Sequence, residues 1–108
     1  MNERSGRPTP ENIRAATLLS IQGALVGAIS ANVRRVLCRW SDTSVEIRAI
    51  FDGTPSEDDL ETMSIVETEV MADFPGRTVT LKCRQIDEPA LIEYEADEVT
   101  VFGRKEIP

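Results

Sequence analysis

The chain has 108 residues, 41% of them hydrophobic, which is enough for one domain with one core and too few for two. Its formal net charge is −7, and this charge is uneven: residues 52–76 carry −8, residues 87–98 carry −6, and the remainder carries +7. Because acidic surfaces repel nucleic acid and attract cations, this composition favours a domain that binds cationic proteins.

The N-terminus is polar and arginine-bearing and is interrupted by proline from Met1 to Pro10, without the apolar core of a signal peptide. We predict a flexible arm over residues 1–10 and a single domain over residues 11–108. The uncharged run Ala15–Val33 is almost as long as a transmembrane helix, but it contains several hydroxyl and amide side chains and two glycines. We therefore expect no membrane span.

A first helix is predicted in this run, because apolar residues recur at helical spacing and extend around more than half of its circumference. It is predicted to end around Ser30–Asn32. Gly23 and Gly27 form a G-x-x-x-G pair, which lets another backbone come close. Two interpretations stay open: tight packing on the chain's own sheet, or a helix-to-helix homodimer contact. The residues predicted for the dimer contact are Leu18, Ile21, Gly23, Leu25 and Gly27.

A β-hairpin is predicted next, with strands Val33–Trp40 and Val45–Phe51 joined by the turn residues 41–44. Alternation places apolar residues on one face of each strand and charged residues on the other. The apolar face is predicted to comprise Val36, Cys38, Trp40, Val45, Ile47, Ala49 and Phe51.

The second helix is predicted to start with a capping box, in which Thr54 is the N-cap, Pro55 the first helical residue and Glu57 the N3 partner. Pro75 and Gly76 end it. The predicted apolar stripe is Leu60, Met63, Val66 or Glu67, Val70 and Phe74. No lysine or arginine is present in this helix to neutralise its acidic residues, and the next basic residue is Arg77. We therefore predict a partner-binding surface on this helix. Its predicted residues are Glu57, Asp58, Glu61, Glu67, Glu69 and Asp73.

Two further strands are predicted, at residues 78–84 and 99–104, separated by an acidic loop at residues 87–97. The order α-β-β-α-β-β predicts an α+β fold: a four-stranded, largely antiparallel sheet with both helices on one face. The other face of the sheet is predicted to expose Arg48, Lys82, Arg84 and Arg104. Nucleic-acid binding by this basic face is disfavoured by the net charge and by the lack of clustered aromatic residues.

Residues for catalysis are scarce. The chain has no histidine, and its two cysteines, Cys38 and Cys83, lie apart in alternating segments, where they are predicted to be small buried hydrophobes in a reducing cytoplasm. No glycine-rich phosphate loop follows a strand. We expect no enzyme, no cofactor and no metal. The remaining enzymatic alternative is Mg²⁺ ligation by Glu67, Glu69 and Asp73.

One string of residues is unusual: Phe51-Asp52-Gly53, Ser56-Glu57-Asp58, Ser64-Ile65-Val66-Glu67-Thr68-Glu69-Val70 and Ala72-Asp73-Phe74-Pro75, followed by Asp87, Pro89 and Arg104-Lys105-Glu106. With it the chain resembles small bacterial immunity proteins of the Maf-like type, which belong to polymorphic and contact-dependent toxin systems. The resemblance extends from about Leu18 to Glu106. It implies a cytoplasmic protein that binds and blocks a toxin domain, often a ribonuclease of the EndoU kind, with a homodimer as one option.

The charge pattern and the resemblance predict the same mechanism, in which carboxylates occupy a ribonuclease site that is built for phosphate. The alternative function is a homodimeric structural or adaptor domain whose acidity serves only solubility. The sequence leaves open which acidic block, 52–76 or 87–98, contacts the partner.

Overall fold

The computed structural model of the protein describes residues 9–106. Its elements follow the predicted order α-β-β-α-β-β. Residues 1–8 of the predicted arm lie outside the described residues, whereas Thr9 and Pro10 form the start of the first helix. The elements are α1 (Pro10–Leu25), β1 (Val33–Trp40), β2 (Ser44–Phe51), α2 (Glu57–Asp73), β3 (Thr78–Gln85) and β4 (Val99–Gly103).

The four strands form one sheet in the order β3-β2-β1-β4. β1 is antiparallel to β2 and to β4, while β2 and β3 run parallel. Parallel neighbours need a crossover connection, and α2 supplies it between β2 and β3. The sheet is therefore mixed, with two antiparallel pairings out of three, which confirms the α+β fold and leaves β3 and β4 as the edge strands.

The core lies between the two helices and one face of the sheet. On β2, Val45, Ile47, Ala49 and Phe51 are all buried, as their alternation predicts. Both helices contribute to the same core cluster, which confirms that they pack on one face. Their buried apolar residues are Ile21 and Leu25 on α1, and Met63, Val66 and Val70 on α2.

Helix α1 ends at Leu25, which is between one and two turns before the predicted end at Ser30–Asn32. Val26 is its C-cap, and Gly27 has a φ of 78°, a conformation that glycine adopts without strain. Gly27 is thus outside the helix and does not share a helical face with Gly23. A Cβ added to either glycine would meet nothing within 4 Å, so the prediction that this pair packs tightly on the chain's own sheet is wrong. Within residues 9–106, no helix is long and apolar enough to cross a membrane.

Helix α2 begins two residues later than predicted. Ser56, not Thr54, is the N-cap: its Oγ accepts from the Asp59 amide (3.0 Å), and the Asp59 carboxylate accepts from the Ser56 amide (3.1 Å). This bond from the Ser56 backbone lowers the pKa of Asp59. Asp59 is buried, whereas Leu60, predicted in the apolar stripe, is 48% exposed. The helix ends before Pro75, as predicted.

Candidate partner-binding surface

Residues 86–98 lie across the sheet face opposite the helices, which was predicted to be open and basic. Arg48 donates to the Glu93 carbonyl (2.8 Å), and Arg39 donates to the Ala96 carbonyl (3.3 Å). Leu37 and Ile50, which alternate away from the core face, are fully buried. The segment therefore covers this face and shields an additional small apolar layer.

The acidic residues of this segment are paired with arginines of the sheet and its flanks. Glu98 accepts from Arg48 through both carboxylate oxygens (2.7 and 2.8 Å), and its side chain is only 2% exposed. Burial opposes its ionisation, but the bonds from Arg48 and from the Glu95 amide keep the pKa of Glu98 below its usual value. Arg104 pairs with Glu88 (2.8 Å). The acidic block 87–98 thus serves mainly to hold the fold together.

This pairing corrects the predicted basic face. The side chains of Arg48 and Arg104 are only 16% and 24% exposed, and both form ion pairs. Lys82 and Arg84 are exposed, and within residues 9–106 they form no ion pair. The basic surface is therefore reduced to two residues on the edge strand β3.

Arg34 is a structural residue that the sequence reasoning missed. It is the extra residue of a β-bulge in β1, where the register shifts between Val33 and Arg35. Its buried guanidinium donates to both oxygens of Glu106 (2.7 and 2.9 Å) and to the carbonyls of Ile86 and Ala90 (2.7 and 3.0 Å). Arg34 thus holds Glu106 and the start of segment 86–98 against β1. A break in strand alternation at Arg34-Arg35 was the available signal.

The Arg34–Glu106 pair predicts a pH dependence of stability. The bonds from Arg34 lower the pKa of Glu106 from 4.5 to about 2. The stabilisation is therefore complete above pH 4.5 and is lost as the pH falls through about 2. We expect Glu106→Gln to be less stable than the natural protein at neutral pH and to lose less stability on acidification. Urea midpoints measured at pH 7, 4.5 and 3 test this; parallel losses in both proteins would contradict it.

The structure divides the six acidic residues predicted to bind a partner into two groups. Glu67 accepts from the Leu81 backbone amide (2.7 Å), and Asp73 accepts from the Ser20 hydroxyl (2.7 Å), so both already bind within the chain. The other four are exposed and form no ion pair with any residue in the range 9–106. These four are Glu57, Asp58, Glu61 and Glu69.

The four free carboxylates surround an exposed apolar residue, Ile65, which is 55% exposed. Glu61 and Glu69 lie four residues before and after it, and Asp58 lies seven residues before it, so all share its side of α2. We call Ile65 with Glu57, Asp58, Glu61 and Glu69 the acidic α2 face. An apolar centre inside a charged rim is the usual arrangement of a protein-binding surface.

The residues predicted for a dimer contact do not form one surface. Ile21 and Leu25 are buried in the chain's own core, and Leu18 packs against that core, whereas Gly23 and Gly27 are exposed. The large apolar residues that α1 and its C-cap leave in solvent are Leu19 (68% exposed) and Val26 (83%). A dimer itself stays a prediction, and Leu19 and Val26 are the residues that could carry it.

The groups available for chemistry are few in this part of the chain. Across residues 9–106, no three or more cysteine, aspartate or glutamate side chains come together as a metal site requires. Both cysteines are free thiols, and burial raises the pKa of Cys38 to about 11. A groove of about 380 Å³ between α1 and Phe74 has an almost wholly apolar lining, with Asp42 and Arg77 at its border.

Comparison with known protein families matches the chain to the MafI2 immunity protein family over residues 14–106. The match includes α2 with its acidic face, and it ends at Glu106, the partner of Arg34. No curated protein matches the chain. Because the matched region covers most of the 108 residues, the chain belongs to the MafI2 immunity protein family.

Proposed function

We propose that the protein is a cytoplasmic, non-enzymatic inhibitor that binds a cationic toxin domain through the acidic α2 face. The observation that carries this proposal is the set of four exposed carboxylates around Ile65 that have no cationic partner within residues 9–106. Membership of an immunity protein family supports a toxin as the partner.

The two acidic blocks differ in how far they are available to a partner. In the block 87–98, Glu88, Glu95 and Glu98 are within 4 Å of arginines of the same chain. A toxin would have to break those pairs before it could use them. The acidic α2 face needs no such rearrangement, and its helix is fixed by the capping box at Ser56 and by the buried residues of its other side. We infer that α2 makes the contact.

A ribonuclease is the toxin class that this charge fits best. An enzyme that cleaves RNA holds phosphate with lysine, arginine and histidine. Carboxylates are hydrogen-bond acceptors with a negative charge, as phosphates are. Four of them on one rigid helix can occupy such a site or its entrance. Opposite charge also accelerates association, so binding should be fast and should weaken with salt. The resemblance to Maf-like proteins, whose toxins are often of the EndoU kind, supports the same choice.

The test is inhibition of the toxin domain encoded next to this chain. We expect one equivalent of the protein to stop cleavage of an RNA substrate by that purified domain, and we expect a stable complex on size exclusion. A toxin that cleaves no RNA but is still neutralised would overturn the ribonuclease assignment alone. Absence of both complex and inhibition would overturn the proposed function.

Self-association is a second candidate property, supported by the exposed Leu19 and Val26. They lie seven residues apart on one side of α1 and its C-cap, where they leave an apolar strip in water. We expect sedimentation at micromolar concentration to show a species of twice the 12.0 kDa chain mass, and we expect Leu19→Glu to abolish it. A single 12.0 kDa species in the natural protein would contradict this.

A further inference from the structure

The edge strand β3 has a free side along its length. At its ends, the amide of Thr78 donates to the Thr43 carbonyl (2.9 Å) and that of Ile86 donates to the Phe51 carbonyl (3.0 Å). Hydrogen-bonding direction alternates along a strand, so the even-numbered residues pair with β2. The backbone groups of Val79, Leu81, Cys83 and Gln85 therefore point away from the sheet.

One of these outward-pointing amides is hydrogen-bonded to a side chain instead of to a neighbouring strand. The Leu81 amide donates to the Glu67 carboxylate at 2.7 Å, where the carbonyl oxygen of an added strand would otherwise lie. Glu67 reaches it from α2, which packs over β3. The Glu67 oxygen satisfies the Leu81 amide in the absence of a strand partner. A backbone carbonyl of an added strand can replace it, because the Glu67 side chain can turn into solvent.

The two sides of this edge differ in chemistry. On the helix side, a groove of about 270 Å³ runs between α2 and β3, lined by Leu60, Met63, Ser64, Glu67, Leu81 and Cys83. On the opposite side, Lys82 and Arg84 are exposed, and neither has an acidic partner among the residues described. Lys82 lies opposite Arg48 in the parallel register, but Arg48 is already paired with Glu98, so the unpaired charges of this edge are those of Lys82 and Arg84. An acidic side chain placed there would supply these two cations with an ion-pair partner.

We propose that β3 accepts an extended segment of a partner protein as a fifth strand, with apolar side chains over the groove and acidic side chains over Lys82 and Arg84. A backbone carbonyl of that segment takes the Leu81 amide from Glu67. This recognition uses the edge of the sheet rather than the acidic α2 face, so it goes beyond the proposed function. The edge of β3 recognises the partner segment by the alternating pattern of apolar and acidic residues in that segment.

A second copy of this chain does not fit the edge. Pairing β3 with its own symmetry mate would bring two pairs of Lys82 and Arg84 together on one side of the joined sheet, and none of these cations has an ion-pair partner among the residues described. The unpaired cations therefore protect the edge against self-association while attracting a segment of opposite charge.

The test uses two capped peptides, Val-Glu-Val-Glu-Val-Glu-Val and its counterpart with lysine in place of glutamate, titrated into the ¹⁵N-labelled full chain. We expect the glutamate peptide to shift the backbone amides of Val79, Leu81 and Cys83 saturably, and to bind about tenfold more tightly than the lysine peptide. The double variant Lys82→Glu/Arg84→Glu should reverse this preference. Because both substituted residues are exposed, the variant should keep the spectrum of a folded protein.

Glu67→Ala separates this proposal from a direct binding role of Glu67. If the carboxylate only occupies the strand position, its removal should tighten binding of the glutamate peptide, since nothing then competes for the Leu81 amide. Weaker binding by this variant, equal affinity for the two peptides, or no saturable shift of the β3 amides would overturn the proposal. None of these results depends on a toxin, so the proposed function is tested separately.

Discussion

Reversal of Glu57, Asp58, Glu61 and Glu69 to lysine is expected to abolish toxin neutralisation while the domain stays folded. All four side chains are exposed, and within residues 9–106 none of them forms an ion pair, so their loss removes no contact from the core. If each reversal costs roughly 1 kcal/mol of attraction to a cationic partner, affinity should fall about a thousandfold. Titration calorimetry with the partner toxin and circular dichroism of the free variant measure the two parts of this prediction.

The matched control reverses four other exposed acidic residues, Glu11, Asp42, Glu93 and Asp97, and changes the net charge by the same amount. Asp97 has a φ of 65°, which lysine adopts at a small cost, and Glu57 and Asp58 lie in the first turn of α2, where lysine opposes the helix dipole. We therefore expect both variants to be somewhat less stable than the natural protein. We expect the control to keep neutralising the toxin. Equal loss of affinity in both variants would mean that net charge, rather than the acidic α2 face, determines binding.

Arg48→Ala is expected to destabilise the sheet face opposite the helices strongly, because Arg48 holds residues 86–98 on that face. The substitution leaves Glu98, whose side chain is 2% exposed, as a buried carboxylate without its cation, and it releases the Glu93 carbonyl. Breaking a buried ion pair in this way should cost about 3 kcal/mol of unfolding free energy. We also expect residues 86–98 to leave the sheet and expose Leu37 and Ile50.

Urea unfolding and amide hydrogen exchange of residues 86–98 measure these effects. Arg84→Ala is the matched control, because Arg84 lies on the neighbouring strand and has no ion pair among residues 9–106. Its stability should stay within about 0.5 kcal/mol of the natural protein. If the two variants were equally stable and the amide exchange of residues 86–98 were unchanged, this segment would not be held on the sheet by Arg48.

The sequence predicted the features that depend on local periodicity. Alternation of apolar and charged residues from Val45 to Ala49 was sufficient to assign β2 and its buried face, and Pro75 with Gly76 was sufficient to end α2. The sequence did not determine the N-cap of α2, because Thr54 and Ser56 are both hydroxyl residues with an acidic residue three positions later. The structure selects Ser56, whose partner Asp59 lies in the buried arc of α2.

Long-range features were missed, since periodicity carries no information about them. The alternation of β1 breaks at Arg34, and only the register of the folded sheet shows that this residue is bulged and turned towards Glu106. Residues 87–97 were predicted only as an acidic loop, because these acids lie far in sequence from Arg39 and Arg48. Their pairing requires the sheet to be assembled first.

Which carboxylates of α2 are free to bind a partner depends on tertiary contacts that the sequence does not show. Charge counting treats all carboxylates of α2 alike, whereas Glu67 bonds the edge of β3 and Asp73 bonds Ser20 of α1. Likewise, the helical stripe of Ile21 and Leu25 could have faced a partner or the chain's own core, and it faces the core. The sequence shows that such residues lie on one face of a helix, but it does not show what that face contacts.

Carboxylate footprinting of the protein, free and in complex with its toxin, tests the central proposal most directly. A carbodiimide with glycine ethyl ester labels exposed carboxylates, and mass spectrometry reads each position. We predict that Glu57, Asp58, Glu61 and Glu69 react in the free protein and lose reactivity in the complex, while Glu11 and Asp42 react in both. A neutralised complex in which the acidic α2 face stays fully reactive, with protection confined to Glu93 and Asp97, would contradict the proposal.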